Sequence, residues 1–172
     1  VLHEKADLAE TIFKMTRKGE SIEFSYELPE EYLLTKTYMF RENKPVIDLV
    51  VRIKNLSARD KHFPVTLNYG MSYEEGYQKN YGYYDAMAYT DKVQTKDLAG
   101  VKKKGFFLPE RTAWAGFIKK YFAMIIKPDG KIIEGSARAD AKDLWGEMTL
   151  EPLTVPAGGE GERSFLIYAG PQ

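Results

Sequence analysis

Cysteine is absent from the 172 residues of this chain, and histidine occurs only twice. The lack of cysteine excludes disulfides, thiolate nucleophiles and cysteine-based zinc sites. His3 and His62 could form a two-histidine metal or acid–base site, but two unrelated surface imidazoles are the favoured interpretation. The HExxH, GxSxG, P-loop and GxGxxG motifs are also missing. We therefore predict that the chain is not an enzyme and has no catalytic, metal-binding or cofactor-binding residue.

An excess charge of either sign is lacking as well. Lys plus Arg and Asp plus Glu number 25 each, so the formal net charge is zero. A neutral chain has no overall attraction for nucleic acid or for an anionic membrane. The composition therefore predicts no nucleic-acid partner.

Long apolar runs are missing too. A membrane-spanning helix needs about 20 apolar residues, and the longest run here is the short stretch Ala123–Ile126. The chain opens on Val1 without a signal peptide. We expect an excised fragment whose targeting or anchoring segments lie outside it.

What the sequence does contain is alternation with a period of two, which indicates strands with one buried face. No helical stripe extends over 12 residues. Short strands separated by turns predict two packed antiparallel sheets in one domain, residues 1–172, with little helix. The clearest alternating segments run over residues 22–26, 34–40, 47–53 and 63–69.

Two further features concern turns and the apolar core. Pro128-Asp129-Gly130 separates two β-prone runs and predicts a hairpin, since proline presets φ and glycine accepts a positive φ. The aromatic segment 114–123 predicts a core strand in which Phe117, Tyr121 and Phe122 are buried beside small residues.

Some acidic and basic residues could have a catalytic or lipid-binding role, but a solvated surface position is favoured for each of them. Glu74-Glu75, Asp85 and Glu147 could in principle supply the paired carboxylates of a glycosidase. Because the chain has 25 acidic residues, solvated surface carboxylates are the favoured reading. Lys102-Lys103-Lys104 favours a solvated turn over a contact with lipid headgroups.

The tract 69–84 contains six of the twelve tyrosines with interleaved glycines. Tyrosine combines apolar ring area with a polar tip and therefore suits recognition surfaces. One hypothesis is a partner-binding loop for a protein, a peptide or a sugar. The other is a long connection whose tyrosines cover an edge of the core. The loop candidates are Tyr73, Tyr77, Tyr81, Tyr83 and Tyr84.

Three stretches, in this order along the chain, resemble the large periplasmic domain of the bacterial YidC membrane-protein insertases. The first is the strand pair 35–40 and 48–55, and the second is the aromatic strand 114–123. The third is the closing strand, which ends in a Gly-Pro. Residues 69–109 do not align with the family pattern. The motif residues, expected in the core, are Trp114, Gly116, Lys120, Tyr121, Phe122, Gly170 and Pro171.

The resemblance implies a twisted β-supersandwich, similar in shape to galactose-mutarotase domains. It also implies a place on the periplasmic side of the inner membrane, within a multi-pass parent whose membrane helices carry out insertion. The domain would be a non-catalytic accessory that docks accessory subunits of the Sec translocon or nascent membrane proteins.

Two alternatives to this accessory role stay open. One is a carbohydrate-binding or mutarotase-like sandwich, in which Trp114, Trp145 or the tyrosines would stack on sugars. That chemistry needs a convergent acid and base, for which the chain offers only two histidines. The other is a structural spacer between membrane helices.

Overall fold

The computed structural model describes residue 8 and residues 11–72 and 84–171. Thirteen strands and one short helix make up these residues. The elements are β1 Lys14–Lys18, β2 Ser21–Leu28, β3 Tyr32–Phe40, β4 Val46–Asn55, β5 Lys61–Ser72, β6 Tyr84–Tyr89, β7 Val93–Asp97, α1 Leu98–Lys104, β8 Phe106–Phe107, β9 Trp114–Lys119, β10 Phe122–Pro128, β11 Ile132–Ala139, β12 Asp143–Val155 and β13 Glu160–Pro171.

The strands form two antiparallel sheets that pack face to face. The large sheet has nine strands in the order β1-β2-β3-β4-β13-β10-β9-β6-β7. The small sheet has four, in the order β5-β12-β11-β8. The four alternating segments predicted from the sequence are the strands β2 to β5. The predicted all-β sandwich with little helix is therefore confirmed.

The core lies between the small sheet and the middle of the large sheet, where alternate side chains of each strand point inward. Leu49 on β4 and Phe117 on β9 are almost fully buried. The rings of Tyr69 on β5 and Phe117 join the two sheets, with their centroids 5.1 Å apart. The buried cluster is Leu49, Val65, Tyr69, Tyr84, Ala86, Ala88, Leu98, Val101, Ala115, Phe117, Ile126, Ile132, Ala137, Leu144, Met148, Leu150 and Phe165.

The hairpin predicted at Pro128-Asp129-Gly130 is wrong. β10 pairs with β9 and β13 in the large sheet, whereas β11 pairs with β12 and β8 in the small sheet. The turn therefore carries the chain from one sheet to the other. Both edges of β10 are already occupied, so the strand that follows the turn has no place beside it.

The aromatic segment 114–123 is a hairpin and not a single core strand. β9 ends at Lys119, and β10 begins at Phe122 on the other side of a two-residue turn. Phe117 is fully buried as predicted, but Tyr121 is 72% exposed and Phe122 is 41% exposed. Tyr121 lies in the turn that connects the two strands, so it faces solvent.

The helix α1 has a clear beginning and end. The Asp97 side chain accepts a hydrogen bond from the Gly100 N–H at 2.9 Å, which is an N-cap. Gly105 ends the helix with φ +66°, a conformation that glycine adopts without a steric penalty. The basic segment 102–104 forms the last turn, where positive charge is favourable. No helix among the described residues is long and apolar enough to cross a membrane.

Candidate docking surface

The strands at the β1 side of the large sheet carry aromatic side chains on the face that points toward the small sheet. Cα pairing places Phe24 of β2 opposite Lys36 of β3, and Tyr26 opposite Leu34. Tyr38 pairs in turn with Leu49 of the core. The alternate residues, which face outward, are mostly polar. We call the inward-facing rings the aromatic overhang; they are Phe13, Phe24, Tyr26, Tyr32 and Tyr38.

The small sheet covers the aromatic overhang only in part. Its outermost strand on this side is β5, whose Phe63 ring lies 5.7 Å from the Tyr32 ring. All five rings of the overhang are half-buried, whereas Leu49 and Ile53 on the neighbouring β4 are buried. The apolar face of a nine-stranded sheet thus extends beyond the four-stranded sheet that packs on it.

The rings of the overhang contact one another in a group of three and a separate pair. Phe13 lies 5.9 Å from Tyr26, and Tyr26 lies 6.3 Å from Tyr32. Phe24 and Tyr38 meet edge to face at 5.9 Å. Tilted and edge-to-face pairs at these distances stabilise the arrangement of the rings. The surface is therefore a pre-arranged set of aromatic edges and faces.

The cation Lys36 lies within the overhang. The Lys36 Nζ is 4.1 Å from the centroid of the Phe13 ring, a cation–π contact. Burial lowers the pKa of the Lys36 ammonium group. Burial also raises the pKa of the Tyr38 hydroxyl and, together with the nearby Tyr26, that of Tyr32. These pKa shifts reflect the partial burial of the three groups on the half-covered face of the sheet.

The strand β5 offers an open edge beside the overhang. It is twelve residues long, and within the described residues it pairs only with β12. Unpaired N–H and C=O groups along a strand edge can pair with another extended chain. Pro64 of β5 lacks an N–H group and cannot donate a ladder hydrogen bond on either side of the strand. The edge and the overhang together match the backbone and side-chain needs of an extended apolar peptide.

The candidate catalytic groups do not converge. The His62 Nδ1 lies 2.9 Å from the Thr154 hydroxyl on an exposed strand. Asp85 and Glu147 alternate with buried neighbours on β6 and β12, so they lie on opposite outer faces of the sandwich. No cluster of metal-ligating side chains occurs within residues 11–72 and 84–171. His3, Glu74 and Glu75 lie outside the described residues.

Most of the tyrosine-rich loop also lies outside the described residues, namely Tyr73, Tyr77, Tyr81 and Tyr83. Tyr84 is described, and only 2% of it is exposed. Its ring lies 5.3 Å from the Lys119 Nζ. Tyr84 is therefore a core residue and presents no surface to a partner.

The motif residues expected in the core divide into buried and exposed sets. Trp114 is half-buried and stacks on Tyr89, with ring centroids 5.4 Å apart and planes 4° from parallel. The Tyr168 hydroxyl donates a hydrogen bond to the Pro171 carbonyl oxygen. Gly116 and Gly170 are buried and Lys120 is half-buried, while Tyr121, Phe122 and Pro171 are exposed.

The aromatic overhang was not identified as a site from the sequence. The alternation of apolar and polar residues over 22–26 and 34–40 predicts strands. That signal does not reveal whether a second sheet covers the apolar face, because coverage depends on how many strands each sheet has.

Comparisons with known proteins agree with the fold and confirm the family resemblance found in the sequence. The sequence model described as the YidC periplasmic domain matches residues 6–172. The membrane protein insertase YidC of Syntrophus aciditrophicus (strain SB) is 23% identical over 171 residues, which are 98% of this chain and 31% of that protein. The chain thus spans about a third of the length of this curated relative.

Among solved structures, a putative aldose 1-epimerase from Escherichia coli K12 has a TM-score of 0.71 at 7% identity, over 93% of this chain and 69% of that one. A galactose mutarotase-like protein from Lactobacillus casei ATCC 334 has a TM-score of 0.69 at 10% identity, over 91% and 72%. At such low identity these two similarities establish the fold alone.

Proposed function

Because the chain belongs to the YidC periplasmic domain family, we propose that it is a non-catalytic accessory domain of a membrane-protein insertase, on the periplasmic side of the inner membrane. In this proposal residues 1–172 act as one β-sandwich unit of a longer multi-pass protein. The domain binds extended, apolar segments of membrane proteins before they are fully inserted or folded. The aromatic overhang beside the open edge of β5 is the observation that carries this proposal.

The overhang and the β5 edge support an extended ligand for different reasons. A strand edge forms main-chain hydrogen bonds with any extended chain, so it provides affinity without strict sequence preference. Aromatic rings provide large apolar contact area and lose little conformational entropy on binding. Substrates of an insertase are varied in sequence and rich in apolar residues, so a surface of this kind suits them.

Lys36 adds a polar function to the same surface. Lys36 lies opposite Phe24 with its Nζ over the Phe13 ring, and its ammonium group can pair with a carbonyl or carboxylate oxygen of the bound chain. A purely apolar surface would retain its ligand by burial alone. One cation gives the bound segment an orientation.

The proposal predicts that an apolar peptide is captured from the inner face of β2 and not from its outer face. A photo-crosslinking phenylalanine analogue at Phe24 should react with a peptide taken from a membrane-spanning segment. The same analogue at Glu23, which alternates with Phe24 on β2, should not. Serine at Phe24 or at Tyr26 should weaken binding about ten-fold, the effect of losing a central aromatic contact. Fluorescence anisotropy of the labelled peptide measures this loss.

A matched control keeps the result interpretable. Thr37→Ser changes the outer face of β3 and should leave both the affinity and the urea midpoint unchanged. Equal cross-linking from Phe24 and Glu23, or no binding at any peptide concentration, would contradict the proposal. An inert spacer between membrane helices would give that second result.

Accessory subunits of the Sec translocon, which the family resemblance implies as partners, can be tested with the same two cross-linker positions. The mutarotase-like alternative, which needs a convergent acid and base, finds no support in the arrangement of the described residues. His62 is hydrogen-bonded to Thr154, and the candidate carboxylates Asp85 and Glu147 lie on opposite outer faces.

A further inference from the structure

Three hairpin turns and the C-terminal end of β13 lie at the same end of the large sheet. Antiparallel pairing places Phe122 opposite Pro171, and Tyr168 opposite Val46. The turns of β1–β2, β3–β4 and β9–β10 therefore lie at the end where β13 finishes. We call it the Pro171 end; its turns run over residues 18–21, 40–46 and 119–122.

Large apolar side chains are exposed at the Pro171 end. Tyr121 and Phe122 project from the β9–β10 turn. Phe40, at the end of β3, is 43% exposed. The Cα register puts Phe40 in line with Ile126 of β10, so Phe40 and Phe122 are separated both across the sheet and along its strands. Tyr121 and Phe122 are adjacent exposed rings, and adjacent exposed rings indicate a contact surface.

The charges of the hairpin turns differ between the two ends of the large sheet, although the whole chain is neutral. At the Pro171 end basic residues outnumber acidic ones, and at the opposite end the order is reversed. The basic residues of the Pro171 turns are Lys18, Arg41, Lys44, Lys119 and Lys120, and the acidic ones are Glu20 and Glu42. The opposite turns, of β2–β3 and β6–β7, hold Glu30, Glu31, Asp91 and Lys92.

Other charged groups at the Pro171 end modify this balance without reversing it. Arg41 is paired with Asp48 of β4 through a short ion pair. Asp85 and Asp97 face each other across β6 and β7. The helix α1, which follows Asp97, contributes the three lysines of residues 102–104. Among the described turns of this end basic residues still outnumber acidic ones, although Asp140 lies near Lys102.

We propose that the Pro171 end rests on the surface of an anionic phospholipid bilayer. Aromatic rings beside lysines are the side chains that membrane–water interfaces favour, because the ring enters the headgroup region while the ammonium pairs with phosphate. Lys120 and Tyr121 have this arrangement, with the Nζ 4.8 Å from the ring centroid. The family places the domain in a membrane-protein insertase, so a bilayer is close by.

The β9–β10 turn projects Tyr121 into solvent, where it is 72% exposed. A ring on a projecting turn can enter the headgroup region of a bilayer. The positive charge at this end complements phosphatidylglycerol headgroups. Tyr121 follows β9, and β10 and β9 are four and five strands from β2 in the sheet order, so peptide binding at Phe24 and lipid binding at Tyr121 can fail independently.

Co-sedimentation of the 172-residue chain with vesicles tests the proposal. The chain should sediment with vesicles containing phosphatidylglycerol and much less with pure phosphatidylcholine vesicles. Lys120→Gln should weaken binding about five-fold, the effect of one interfacial charge. Tyr121→Ser should weaken it about ten-fold through lost apolar contact. Added salt should reduce binding by the wild type more than by Lys120→Gln.

Matched variants at the opposite end serve as controls. Val93→Ser removes an exposed apolar side chain from the start of β7, and Lys92→Gln removes a lysine from the adjacent turn. Both should sediment like the wild type. Unchanged urea midpoints would show that all four variants are folded. Failure of the wild type to bind either vesicle, or equal binding by Tyr121→Ser, would overturn the proposal. So would a protein partner that Tyr121 captures in the absence of vesicle binding.

Discussion

Replacing Gly116 with alanine is expected to cost about 3 kcal/mol of unfolding free energy, at the upper end of the overpacking range. Gly116 lies in β9 and pairs with Ile125 on one side and Met87 on the other. A Cβ atom added there would overlap the Met124 carbonyl oxygen and lie 2.9 Å from the Ile125 Cα. Both atoms belong to the backbone, so the sheet must open between β9 and β10 to accept the methyl group.

Urea unfolding followed by tryptophan fluorescence measures this loss, because Trp114 lies in the same strand. The midpoint should fall with the slope unchanged. Thermal unfolding should shift down by about 6 to 12 °C for a chain of this size. Gly130→Ala is the matched control, since a Cβ there meets only the flexible Arg163 side chain, at 3.2 Å. A loss below about 1 kcal/mol for Gly116→Ala would contradict the packing described here.

The second large effect is expected at Asn55, the last residue of β4. Its side chain is fully buried. The Nδ2 group donates to the carbonyl oxygens of Arg59, Val155 and Pro156 at 2.7 to 3.1 Å. The Oδ1 atom accepts from the Ser57 N–H and hydroxyl. One amide thus joins the end of a large-sheet strand to the turns that lead into and out of the small sheet.

Asn55→Ala should lower the unfolding free energy by about 3 kcal/mol, because it leaves several buried carbonyl groups without a donor. Asn55→Asp has nearly the same shape but replaces the donor with an acceptor, so it should be at least as destabilising at neutral pH. The exposed Asn68→Ala on β5 should change stability by less than about 0.5 kcal/mol. The urea midpoints of the three variants measure these changes in stability. A stable Asn55→Asp would show that the cavity matters and the hydrogen bonds do not.

The two positions differ in how well the sequence identifies them. Asn55 stands at the end of an alternating segment and before a turn, so its place at the end of a strand could be predicted. Its partners Val155 and Pro156 are about a hundred residues away in the sequence, and no local sequence pattern identifies them. In the sequence, Gly116 is a small residue that allows the large aromatic side chains beside it to pack. Only the pairing with β10 shows that a backbone oxygen occupies the space of its side chain.

The sequence by itself determined the all-β class, the strands β2 to β5 and the family resemblance. Alternation with a period of two is a local property of each strand, and ordered motifs survive where overall identity is low. Only the tertiary structure decided that Pro128-Asp129-Gly130 crosses between sheets and that Tyr121 faces solvent. It also decided that the overhang is half-covered, since a nine-stranded sheet meets a four-stranded one. Which edges pair, and how far one sheet extends beyond another, depend on residues far apart in the chain.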